Sequence, residues 1–176
     1  MKKLSMDELD RKTPEGFRAA KKFPLLYVLD NVRSALNTGS VFRTADAFLL
    51  EEIVLCGITA TPPHREIHKT ALGATGTVAW RHVDRTEMAI KELKKKGYVV
   101  LAMEQASGSI SLADFYPEAG NKYAVIFGHE VRGVSHEALT LCDHCLEIPQ
   151  FGTKHSMNVA VTAGIVAWDF FTKLRL

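Results

Sequence analysis

Three short polar clusters interrupt an otherwise apolar chain, and each sits at the end of an apolar run. Asn37-Thr-Gly39-Ser-Val-Phe-Arg43 follows the run Leu25 to Leu29, and Gly128-His-Glu130-Val-Arg-Gly133-Val-Ser135 follows Tyr123 to Phe127. The third runs from Gly152 through Lys154, His155, Ser156 and Met157 to Asn158, between Ile148 and a helix that is apolar to Trp168. An arginine offers a planar fork of donors suited to phosphate or carboxylate, and a glutamate accepts hydrogen bonds or a proton. A small hydroxyl or amide can order a ligand or the loop itself. Gly128 and Gly152 let a backbone approach a ligand closely, as a missing side chain permits. Loops held between buried elements are where binding and catalysis are usually placed. Read singly, each cluster has a plainer explanation: a strand-to-helix turn at Gly128, a surface ion pair between Arg43 and Asp46, a helix cap at Asn158.

The elements that must position these clusters follow from periodicity. Apolar runs predict strands at Leu25–Asp30, Ile53–Cys56, Val99–Met103, Tyr123–Phe127 and His144–Ile148. Helical patterns cover Ser34–Leu49, Thr86–Lys96, Ser135–Leu141 and Met157–Leu174. Lys94 to Lys96 before Gly97 read as a helix end, with cations on the negative dipole and glycine as a left-handed cap. Strands that are apolar throughout and alternate with helices predict an α/β fold, with a mostly parallel sheet flanked by helices. The stretch Pro62 to Thr70 reads equally as a turn into a short helix or as an extended loop. The first strand runs into Asp30-Asn-Val-Arg-Ser34 without a glycine, which argues against a dinucleotide-binding fold. Asn37, Gly39 and Arg43 lie at helical spacing, with Arg43 about two turns beyond Asn37. A last helix lacking a polar face must be buried against its own domain or another subunit.

At 176 residues the chain reads as one domain of ordinary globular composition. A net charge of +2 announces no nucleic-acid binding by itself. Basic residues do outnumber acidic ones from Lys2 to Lys22, so residues 1–22 read as a basic, helical N-terminal segment able to touch phosphates. Three cysteines cannot all pair within one chain, and neither a leader nor a run of transmembrane length is visible, so a cytoplasmic protein without a membrane role is expected.

Taken together and in this order, the three clusters resemble the motifs of the SpoU/TrmH branch of the SPOUT methyltransferases, over Pro24 to about Asp169. The resemblance implies residues 23–176 as a SPOUT domain with a deep trefoil knot in its C-terminal third. It also implies S-adenosyl-L-methionine as cofactor, with contacts from Gly128, Ile148 and Met157. The catalytic set carried over by motif position is Asn37, Arg43, Glu130, Ser156 and Asn158. The implied reaction is methylation of a ribose 2′-hydroxyl in structured RNA, tRNA being favoured over rRNA, by a homodimer using the C-terminal helix. Arg43, whose guanidinium holds its proton too firmly to serve well as a base, reads as a clamp on the adjacent phosphate that orients the hydroxyl. Glu130 reads as a positioning residue, because a carboxylate beside a sulfonium would favour the ground state. Two departures from the family pattern are His129, where a small polar residue is frequent, and Met157, where leucine is usual. A SPOUT-type base methyltransferase and a non-catalytic RNA-binding module are the alternatives.

No metal site is expected, since Cys142-Asp-His-Cys145 supplies only two of the four ligands zinc needs. Trp80 and Trp168 read as core or interface residues, not as platforms for stacking a base. Ala160, Ala163, Gly164 and Ala167 form a small-residue stripe suited to close approach by a second subunit. The basic N-terminal segment, with His64, Arg65, His68 and Lys69, is expected to supply part of the RNA grip. Its removal as far as Arg18 is expected to spare cofactor binding.

Overall fold

The computed structural model describes residues 1–5, 7–9 and 11–175; Met6 and Asp10 of the basic segment lie outside the described residues. The helices are α1 (Pro14–Ala19), α2 (Ala35–Ala47), α3 (Arg65–Ala71), α4 (Thr86–Lys95), α5 (His136–Leu139) and α6 (Val159–Arg175). The strands are β1 (Leu25–Asp30), β2 (Ile53–Cys56), β3 (Trp80–Val83), β4 (Tyr98–Met103), β5 (Ile110–Ser111), β6 (Lys122–Phe127) and β7 (His144–Glu147). They form one sheet in the order β3-β2-β1-β6-β4-β7-β5, and every strand pair in it is parallel.

Both faces of the sheet are covered, which is why β1 is buried at all six positions. Alternate residues point to opposite faces. Leu25, Tyr27 and Leu29 join the larger core with residues of α2, α3 and α6, while Leu26 and Val28 join a second core with Ala89, Ile90 and Leu93 of α4. Tyr27 ties β1 to α6 through a hydrogen bond from its hydroxyl to the Ala163 carbonyl at 2.7 Å. Burial raises the pKa of that hydroxyl well above the ordinary tyrosine range, so it remains a donor. Lys173 closes the far end of α6. Its ammonium donates to the carbonyls of Leu112 and Phe115 at 2.6 and 2.9 Å and pairs with Asp169 at 2.9 Å. The strand order and the return of α6 beneath β1 are compatible with the knot that the family resemblance implies.

The stretch from Pro62 is a turn followed by α3, with His64 as the N-cap. Gly97 adopts φ +81° after the lysines, the left-handed cap expected there. Two expectations need correction. The first concerns α6. Ala163 and Ala167 are fully buried in the chain's own core, so the small-residue stripe is not a free face. The exposed face is Val161, Ile165 and Trp168, at 52, 37 and 58%. The second concerns the N-terminal segment. Phe17 of α1 is buried in the main core and the Arg18 guanidinium donates to the Gly76 carbonyl at 3.2 Å. Removing residues up to Arg18 would therefore open the core, and a truncation that tests RNA contacts alone must stop at Lys12. No helix among the described residues is long and apolar enough to cross a membrane.

Candidate active site

The carboxyl ends of β4, β6 and β7 open into a cleft of about 440 Å³. Open parallel sheets bind ligands at this edge, because loops leaving neighbouring strands diverge there. Met103, Phe127, Ile148 and Met157 supply apolar wall, and Gly128, Glu104, Glu130, Glu147, Ser156 and Asn158 supply polar or backbone surface.

Glu130 fastens two segments together. One carboxylate oxygen accepts the Arg33 N–H at 3.0 Å, and the other accepts the Ser34 N–H at 2.9 Å and the Asn37 amide at 3.0 Å. Burial would raise its pKa, but these donors outweigh burial and hold the carboxyl below the ordinary range. The Asn37 side-chain oxygen accepts the Asn158 amide at 3.1 Å. Asn158 also caps α6, its side-chain oxygen accepting the Ala160 N–H at 2.9 Å. Glu130, Asn37 and Asn158 thus form one hydrogen-bonded chain across all three polar clusters. The two readings of Asn158, cap and site residue, describe one side chain using both ends.

Gly128 is required by the chain's own packing as well as lining the cleft. A Cβ there would lie 2.1 Å from the Gly133 carbonyl carbon and from the Val134 nitrogen. The missing side chain therefore admits the chain's own loop, which is closed by paired backbone bonds between His129 and Gly133 at 3.0 and 2.8 Å. Gly39 likewise makes room for α3, since a Cβ would meet Thr70 Oγ1 at 2.1 Å and the Ile67 carbonyl oxygen at 2.4 Å. Gly152 has open space beside it.

Arg43 stands apart from the cleft. The six-residue step from Asn37 carries it about 9 Å along α2 but also about 120° around it, rather than onto the same face two turns on. It lines a second cavity of about 590 Å³ with Ser40, Lys69 and Gly164. Arg43 is exposed and takes part in no hydrogen bond or ion pair among the described residues. Asp46, the expected partner, accepts instead from the Thr77 hydroxyl at 2.5 Å.

Sequence reasoning missed Glu104. It follows β4 directly, and its carboxylate accepts the Val134 N–H at 2.8 Å and the Gln105 N–H at 2.9 Å, fixing the same loop from the other side. A carboxylate just past a buried parallel strand was the available signal. Cys142 and Cys145 bond the carbonyls of Ala138 and Glu104 at 3.2 and 3.3 Å. Burial pushes the Cys142 thiol up to about 12 and raises that of Cys145, so both stay protonated at neutral pH. Among the described residues, no group of three or more His, Cys, Asp or Glu could hold a metal ion.

A family model described as the SpoU rRNA Methylase family matches residues 24–168, which takes in all three clusters and the strands that carry them. The chain belongs to this family. The 23S rRNA (guanosine-2'-O-)-methyltransferase RlmB of Neisseria meningitidis is 32% identical over 143 residues, which is 81% of this chain and 56% of that one. The chain spans about half to two thirds of the length of the curated relatives it matches. Among solved structures, an AdoMet-bound rRNA methyltransferase from Sinorhizobium meliloti has a TM-score of 0.80 at 26% identity, covering 92% of this chain and 61% of that one. A structure described by its work on 2-OH methylation of C/U34 on tRNA has a TM-score of 0.75 at 27% identity, covering 86% of this chain and 97% of that one. Within the SpoU family frame, the cleft at the carboxyl edge and the tied clusters are the parts this chain's sheet builds.

Proposed function

We propose that this chain transfers a methyl group from S-adenosylmethionine to a ribose 2′-hydroxyl of tRNA. The observation that carries the reading is the Glu130–Asn37–Asn158 chain, which holds all three polar clusters in one arrangement beside an apolar cleft. The cleft suits the cofactor. Its volume falls within the roughly 300–1,000 Å³ typical of small-molecule sites, and its walls mix apolar side chains with backbone. Residues around Gly128, Ile148 and Met157 would hold the cofactor, which supplies an electrophilic methyl when bound. Glu130 and Glu104 are occupied by backbone donors, so they fix loops and leave the charge of a sulfonium unpaired. Arg43, with no partner among the described residues and Lys69 in the same cavity, is free to grip the phosphate beside the target ribose and aim its hydroxyl.

Arg43 lies outside the cleft of its own chain, and the reading has a second copy complete the site, as the family resemblance implies. The exposed Val161, Ile165 and Trp168 of α6 supply an apolar face for the second copy, beside the Gly164 that lines the Arg43 cavity. Light scattering should give a dimer at micromolar protein, and Ile165→Glu should give a monomer without turnover; a monomeric wild type would contradict the arrangement.

The tRNA assignment is supported by the tRNA-directed solved structure, which this chain matches along nearly its whole length. Methyl transfer from labelled S-adenosylmethionine to unmodified tRNA and to ribosomal RNA fragments tests it. Label should enter tRNA; label confined to the ribosomal fragments would overturn the substrate and leave the chemistry.

A further inference from the structure

A third cavity, of about 480 Å³, lies at the β3 edge of the sheet and belongs to neither the cleft nor the Arg43 site. Pro62, Pro63, Ile67 and Trp80 give it apolar walls, and His64, Arg65 and His68 sit on it as well. Helix α3 separates it from Arg43: Lys69 and Thr70 line the Arg43 cavity, whereas Arg65 and His68 line this one. An α-helix is about 10 Å across, so the two cavities are close neighbours.

Three features leave this hollow open to a ligand. Trp80 packs against the main core, yet its indole makes no ring contact and its N–H no hydrogen bond among the described residues. That N–H is not among the buried side-chain groups lacking a partner, so it is open to solvent and to a ligand. The side chains of Arg65 and His68 also make no hydrogen bond or ion pair among the described residues. Finally, the His64 Nδ1 accepts the Glu66 N–H at 3.2 Å, which puts the ring proton on Nε2 and makes that nitrogen a donor. Proline and indole surfaces are flat and apolar and suit the face of a planar ring, while the surrounding side chains donate to anions. A nucleotide carries both features in one unit, because single-stranded RNA is held by bases stacked on aromatic side chains with phosphates on cations.

We propose that this cavity takes an unstacked base of the RNA substrate, close in the strand to the nucleotide whose ribose faces Arg43, with flanking phosphates on Arg65 and His68. It rests on the reading of the chain as an RNA-modifying enzyme and adds a second point of grip. Two cavities on either side of one helix would select RNA in which a base near the target is splayed out of its stack. The site would thereby contribute substrate choice without touching the reacting atoms.

Binding of a short single-stranded oligoribonucleotide, compared with an abasic strand carrying the same phosphates, separates base from phosphate recognition. Wild type should prefer the base-bearing strand. Trp80→Leu should weaken that strand's binding about tenfold and leave the abasic strand unchanged, a size typical of one stacked base. Trp80→Phe should keep most of the affinity, which a simple packing defect would not explain. Arg65→Ala, on an exposed position that folding does not need, should weaken both strands and flatten the salt dependence. Equal wild-type affinity for the two strands overturns the proposal even if Trp80→Leu fails to fold, and so does an unaltered affinity in a folded Trp80→Leu. If neither strand nor tRNA binds while S-adenosylhomocysteine still does, the RNA reading falls with it.

Discussion

Arg43→Lys should lower kcat by about 10²-fold or more, the penalty expected when a reacting hydroxyl is misplaced by about an ångström. Lysine keeps the charge but presents a single mobile ammonium in place of a planar fork, so phosphate is attracted without being oriented. Arg43 is exposed, and no hydrogen bond or ion pair among the described residues depends on it. The variant should therefore fold normally. It should also bind S-adenosylhomocysteine as the wild type does, because Arg43 does not line the cleft at Gly128. Single-turnover kinetics beside calorimetry separate the two effects. Near-wild-type turnover from the lysine variant would rule out positioning by the fork.

Gly128→Ala should damage the fold with a single added methyl group. The added carbon would meet backbone of Gly133 and Val134 at 2.1 Å, and backbone cannot swing aside as a side-chain tip can. Shifting this loop would disturb the His129–Gly133 pairing, the Val134 N–H to Glu104 bond and the Ser135 N–H to Asp30 bond at 2.8 Å. Overpacking of this kind costs about 3 kcal/mol. For a domain of this size that is roughly a 6–12 °C fall in Tm. Cofactor binding should be lost with it, because the same loop forms the cleft wall. Gly152→Ala, with open space beside it, is the control and should leave Tm unchanged. An unaltered Tm in Gly128→Ala would mean that the loop has room the geometry denies.

The sheet was readable where burial on both faces leaves no choice of residue. β1, β2, β4 and β6 are apolar runs because helices or loops cover them on each side, whereas β7 carries His144 and Glu147 and fully buries only Leu146. β3 was missed because it is an edge strand carrying Arg81 and His82; Arg81 pairs with Glu52 at 3.2 Å and Glu92 at 3.0 Å, contacts no local pattern announces. β5 has only two residues, too few for any periodicity. At the site, the clusters were visible as clusters, but their internal wiring was not. Glu130 reaches Asn37 across 93 positions, and Asn158 reaches Asn37 across 121. Gly39 looked like part of a ligand motif and proves to be the crossing point of α2 and α3. The different facing of Asn37 and Arg43 could have been read from helix geometry alone, because six residues fall well short of two turns.

The reaction itself is tested most directly by locating the methyl group on tRNA after incubation with the enzyme and S-adenosylmethionine. Methylation of a ribose removes the 2′-hydroxyl that attacks the backbone in alkali. The alkaline ladder should therefore show a gap at one position, and mass spectrometry should place the added methyl on that ribose. An unbroken ladder with the methyl on a base would contradict the account.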